Sequence, residues 1–154
     1  MTRVKSFILA VLVVALGFGA VESFAGSTET STTGVQDYDL VSYHTEGKAV
    51  KGDGTNLVVV DGVTYLFASE ENKNAFEKAP EKYLPAYGGY CAYGVAVGKK
   101  FVGDPEVWEI VDEKLYLNLN SDIQNKWKED TPGNIVKADQ NWPGIKDKAP
   151  AELM

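Results

Sequence analysis

One cysteine, Cys91, and one histidine, His44, are the only thiol and the only imidazole in this 154-residue sequence. A lone cysteine closes no internal disulfide, so the fold must be held by packing and hydrogen bonds. A structural zinc site draws on four nitrogen or sulfur ligands, and one Cys with one His cannot supply them. Positive charge is also scarce: 15 Lys and Arg stand against 22 Asp and Glu, for a net charge of −7. Nucleic-acid binding needs Lys and Arg clustered against phosphate, so nucleic acid is not expected as a partner. No basic amphipathic stretch is present for anionic lipid. Missing too are a phosphate-cradling glycine loop, a nucleophile-elbow serine and a zinc-protease motif. Gly103-Asp104-Pro105-Glu106 and Asp112-Glu113 lack the loop spacing of a calcium site and read as turns.

Long apolar runs are equally few. Phe7 to Val21 is uncharged and almost wholly apolar, and it follows Arg3 and Lys5. Ser23-Phe24-Ala25 then offers small residues on either side of Phe24. This is the three-part pattern of a secretory signal. The run is shorter than the roughly 20 residues of a spanning helix, and no cysteine at the cleavage site offers lipid attachment. Residues 1–25 are therefore expected to be a signal peptide cleaved near Ala25. The product is expected to be periplasmic or secreted, without membrane insertion after cleavage. Residues 26–34, rich in Ser and Thr, read as a flexible linker. Residues 35–145 read as one domain, and residues 146–154, polar and carrying Pro150, as a frayed tail.

Within the domain, Leu57–Val60 and Val63–Phe67 flank Asp61-Gly62, a hairpin signal. Ser69 is a natural N-cap for a helix from about Glu70 to Lys78, with acids in its first turn and Phe76 on its inner face. Pro80 interrupts it, and a short helical turn holds Tyr83 and Leu84. Tyr87 to Gly98 interleaves small residues with aromatics, which suits close backbone approach or positive φ at the glycines. A second hairpin pairs Trp108–Val111 with Lys114–Leu117 around Asp112-Glu113. Ser121 is expected to cap a helix to Glu129, and Thr131 one running through Trp142, with Pro132 at its first position. The expected class is α+β: a small antiparallel sheet of two hairpins packed with three or four helices.

The run Val63–Ser69, then Phe76, then Pro80-Glu81-Lys82-Tyr83-Leu84 resembles the YHS domain, and Tyr38–Tyr43 resembles its opening Asp-Pro-Val segment. Tyr87–Ala92, Gly103-Asp104-Pro105, Leu115–Asn118 and Pro132–Ile135 resemble the exported YHS-domain-containing proteins of bacteria. Metal-binding relatives place cysteines after the Asp-Pro-Val, after the Tyr-x-Phe, and four residues further on. Those positions here are Ser42, Ala68 and Asn72, so the cysteine metal site implied by the resemblance is not carried over.

Cys91 has two readings. An unpaired thiol is a ligand for a soft ion or haem iron, and it is also a small residue well suited to a packed core. His44 is a candidate for metal or acid–base duty, or a solvent-facing or hydrogen-bonded histidine. Cys and His together suit copper better than zinc. Tyr87, Tyr90 and Tyr93, with Tyr43 and Tyr65, would line a pocket for a flat ligand or simply pack. No spacing pattern sets Cys91 and His44 together as a catalytic pair, so no enzyme is expected. The sequence thus predicts an extracytoplasmic binding protein with Tyr90, Cys91 and Tyr93 at its site. Cys91 and His44 are its candidate metal ligands, and copper or haem its candidate cofactors. The alternative is a structural or protein-interaction module with no bound ligand, its partner unidentified.

Overall fold

In the computed structural model, which describes residues 33–153, the chain forms in order α1 (Leu40–Thr45), β1 (Asp53–Val60), β2 (Val63–Phe67), α2 (Glu70–Lys78), α3 (Pro80–Tyr83), α4 (Ala92–Ala96), β3 (Asp104–Val111), β4 (Lys114–Asn118), α5 (Ser121–Glu129) and α6 (Thr131–Ile145). The expected signal peptide, and the expected linker up to residue 32, lie outside the described residues. Both predicted hairpins are present, and each is its own two-stranded antiparallel sheet. Val60 pairs with Val63 across Asp61 and Gly62, whose φ values of 50° and 78° are the doubly left-handed pair of a type I′ turn. Val111 pairs with Lys114 across Asp112 and Glu113, which adopt φ 48° and 61°.

Helices α1, α2, α4, α5 and α6 start where N–H donors find side-chain acceptors, while α3 starts on Pro80, which has no N–H to satisfy. Ser69 accepts from the Asn72 N–H, as predicted. The caps of α5 and α6 sit one residue earlier than predicted: Asn120 accepts from Ile123 N–H and Asp130 from Gly133 N–H. Asn and Asp cap at least as well as Ser and Thr, and here they precede them. Helix α6 also continues past Trp142, through Pro143, to Ile145. Near a helix end proline removes only one bond of the ladder. The architecture is the expected α+β class. Of the six α-helices among the described residues, α1 and α4 are additional to those predicted; six and five residues long, they are too short to leave a readable period.

Strand β4 organises the core. Successive strand residues point to opposite faces. Leu115 and Leu117 enter one apolar cluster with Leu40, Tyr43, Phe67 and Phe76. Tyr116, between them, enters a second cluster with Val95, Trp127 and Ala138. Trp108 and Ile110 of β3 lean on the first cluster and Val111 on the second. The β3–β4 hairpin is thus a wall between an N-terminal half, α1 to α3 with the first hairpin, and a C-terminal helical half, α4 to α6. No helix among the described residues is long and apolar enough to cross a membrane.

Candidate functional site

Cys91 is fully buried at the N-cap of α4. Its Sγ accepts from the Gly94 N–H at 3.4 Å and lies 3.7 Å from Asn118 Oδ1. Burial pushes its thiol above the ordinary cysteine range, and the N–H groups of Gly94, Leu119 and Tyr93 pull partly the other way. Cys91 and Tyr93 line a small cavity of about 170 Å³ with Val97, Phe101, Leu119 and Ile123. Tyr90 does not join them there. Its ring stands under the Lys100 ammonium, 4.4 Å from the centroid, beside Trp142, and it lines a different cleft with Gly103 and Tyr65. Gly88 and Gly89 do take positive φ, 61° and 82°, so the predicted backbone freedom is used here. Asn118 is buried as well; Tyr93 N–H fixes its Oδ1, and its Nδ2 has no partner among the described residues.

His44 is placed elsewhere, in the last turn of α1. Its ring meets Tyr83 edge-on at 5.3 Å. It lines a cleft of about 370 Å³ with Tyr43, Lys82, Trp108, Ile110 and Glu113, none of which lines the cavity at Cys91. Burial lowers its pKa, the ammonium groups of Lys82 and Lys114 lower it further, and Glu113 offsets part of this. Among the described residues no group of three or more His, Cys, Asp or Glu is placed to hold a metal ion.

One residue that sequence reasoning passed over stands at the centre of the N-terminal half. Asp39 is fully buried. Its Oδ1 accepts from the N–H groups of Val41 and Ser42, capping α1, and its Oδ2 accepts from Ala68 N–H at 2.9 Å and Asn72 Nδ2 at 2.7 Å. The signal was present, an Asp immediately before the apolar pair Leu40-Val41. Ser42, Ala68 and Asn72 are the positions for which the resemblance noted in the sequence implies cysteine in metal-binding domains. Here all three donate to one carboxylate. No thiolate is present, and the acceptor oxygens already hold N–H donors, so these residues do not fit a metal ion.

The family model of the YHS domain matches residues 41–87, the segment from the start of α1 to just beyond α3. No curated protein and no solved structure matches the chain.

Proposed function

We propose, from the match of residues 41–87 to the family model of the YHS domain, that this chain is an extracytoplasmic, non-catalytic interaction module whose fold needs no metal ion. In this reading Cys91 caps and packs rather than holding copper or haem. The observation that carries it is the state of Cys91, which is fully buried, engaged by Gly94 N–H, and raised in pKa. A thiol so placed is a poor nucleophile, because the thiolate is the reactive form. Cu(I) asks for a second soft ligand, and His44 faces a separate cleft. The cavity at Cys91, about 170 Å³, is smaller than the roughly 300–1,000 Å³ of small-molecule sites, which argues against haem. Its lining is apolar, and Val97 and Leu119 beside it are exposed, which suits an apolar group on a protein partner. The extracytoplasmic location rests on the signal pattern of residues 1–25.

Fractionation of producing cells tests the location, and a Cu(I) titration against a competing chelator tests the site. The expected result is protein outside the cytoplasm, no stoichiometric copper, and no haem absorption band. Cys91→Ala is expected to lose about 1–3 kcal/mol of stability through the lost cap and the void. One Cu(I) bound per chain, and lost in Cys91→Ser, would overturn the reading.

A further inference from the structure

The two hairpins belong to two copies of one larger unit. Each copy opens on three successive residues at positive φ, Val35 to Asp37 in the first and Tyr87 to Gly89 in the second. A short helix (α1, α4), an eight-residue strand (β1, β3), a two-residue turn, a five-residue strand (β2, β4) and a nine-residue helix (α2, α5) follow in both. The offset between the copies stays at 51 or 52 residues: Leu40 to Ala92, Asp53 to Asp104, Val63 to Lys114, Glu70 to Ser121. Irregularities recur as well. Each long strand slips register near its start, between Asp53 and Leu57 and between Asp104 and Trp108. The nine-residue helices end on Ala79 at φ −152°, ψ 67° and on Asp130 at φ −155°, ψ 68°. Only then do the copies part, α3 stopping at Tyr83 where α6 runs on to Ile145.

This equivalence sets the buried Asp39 cluster against the cavity at Cys91. Asp39 and Cys91 cap the two short helices, and Gly94 N–H reaches Cys91 Sγ as Ser42 N–H reaches Asp39 Oδ1. Leu119 stands in the place of Ala68, and Ile123 in the place of Asn72. In the first copy Asn72 Nδ2 closes the corner by donating to Asp39 Oδ2 at 2.7 Å. The Ile123 side chain has no donor to offer Cys91, and that corner is the cavity of about 170 Å³. Where the first copy has Asp39, Ser42 and Asn72, the second has Cys91, Gly94 and Ile123, and all three line the cavity beside Leu119 and Phe101. No charged side chain among the described residues lines it. Water settles only where several polar groups can hold it, whereas an apolar cavity of roughly 150 Å³ stays dry and takes up benzene or xenon.

We infer that the cavity between α4 and α5 is a site for a small, uncharged, apolar molecule about the size of benzene, seated against Cys91, Leu119 and Ile123 where the first copy keeps its Asp39–Asn72 hydrogen bond. Val97 and Leu119 line the cavity and are also exposed, so its opening is apolar. An occupant restores the contacts that an unfilled cavity denies its lining. The inference rests on the interaction reading only in taking Cys91 as free of metal. Bound Cu(I) would overturn that reading, whereas copper-free protein that takes up no benzene overturns this one alone.

Benzene is the probe, with benzoate as the same ring bearing a charge and N-acetyl-phenylalaninamide as the same ring on a peptide backbone. The protein isolated from producing cells is titrated with each and followed through the methyl NMR signals of Val97, Leu119 and Ile123. Saturable shifts are expected with benzene at millimolar concentration, and at least about tenfold weaker binding with benzoate, whose charge would be buried unpaired. Ile123 is half-buried. Ile123→Phe fills the cavity and Ile123→Asn introduces the first copy's polar residue; each is expected to weaken benzene binding at least about tenfold. Shifts that do not saturate, equal affinity for benzoate, or unchanged affinity in the folded Ile123 variants would overturn the assignment. Tighter binding of the peptide-borne ring than of benzene would also overturn it, by making the occupant a partner's side chain.

Discussion

At Asp39 one carboxylate ties together three stretches of chain: the first turn of α1, the end of the first hairpin at Ala68, and Asn72 in the first turn of α2. Hydrogen bonds to a buried charged group are among the strong ones, and breaking them strands donors that water cannot reach. Asp39→Asn keeps the shape but turns one oxygen into an NH₂ group. That group must face either the α1 cap donors or Ala68 N–H and Asn72 Nδ2, donor against donor. The expected loss is about 3 kcal/mol, read in urea denaturation as a lower midpoint at unchanged slope. A variant with the midpoint of the parent would show that the carboxylate is not the tie the geometry makes it. Ser42 supports the same junction, its Oγ lying 2.8 Å from Asp39 O and 2.9 Å from Lys48 O, so that one hydroxyl proton serves both carbonyls. At the other end of the molecule Lys100, also buried, donates to the carbonyls of Lys146 and Lys148 at 2.8 Å each.

The two hairpins use the same turn geometry with different residues, and that difference has an energetic consequence. Both central positions of a type I′ turn need positive φ. The first hairpin places Gly62 at its second position, whereas the second places Glu113 there at φ 61°. A side-chain-bearing residue in this region is crowded by about 1–2 kcal/mol, and glycine escapes that cost while losing more chain entropy on folding. Glu113→Gly is therefore expected to raise stability by about 0.5–1 kcal/mol, seen as a higher urea midpoint. A fall in midpoint would mean that Glu113 makes contacts outweighing its backbone strain. Both hairpins were readable in the sequence because strand alternation and turn chemistry agree there. Helices α1 and α4 were not, since five or six residues carry too little periodicity. The caps at Asn120 and Asp130 were displaced by one residue because each neighbours a second good capper, Ser121 and Thr131.

Across the whole molecule, pattern reasoning could name Cys91, His44, Tyr90 and Tyr93 but not say which of them meet, because the partition is made by β4. That strand sends Leu115 and Leu117 one way and Tyr116 the other. His44 therefore lies over the first cluster, in a cleft walled by Trp108 and Ile110, while Cys91 opens on the opposite half beside α4 and α5. The approach of Lys114 Nζ on β4 to Glu81 O on α3, at 3.5 Å, is also invisible to sequence, since α3 and β4 meet only in the fold. The YHS match ends at residue 87, yet the core of its segment is completed by Leu115 and Leu117. A strand shared in this way couples the two halves. Each half carries its own reporter: Trp108 on the first cluster, Trp127 buried in the second. Proteins retaining either Trp108 or Trp127, with the other tryptophans changed to Phe, are expected to show coincident urea transitions by fluorescence, the mark of one cooperative unit. Leu117→Ala, which deletes a wholly buried side chain on the shared strand, is expected to lower both midpoints together by the equivalent of about 2–5 kcal/mol. If only the Trp108 transition moves, leaving Trp127 behind, the halves unfold independently and β4 is a boundary rather than a coupling element.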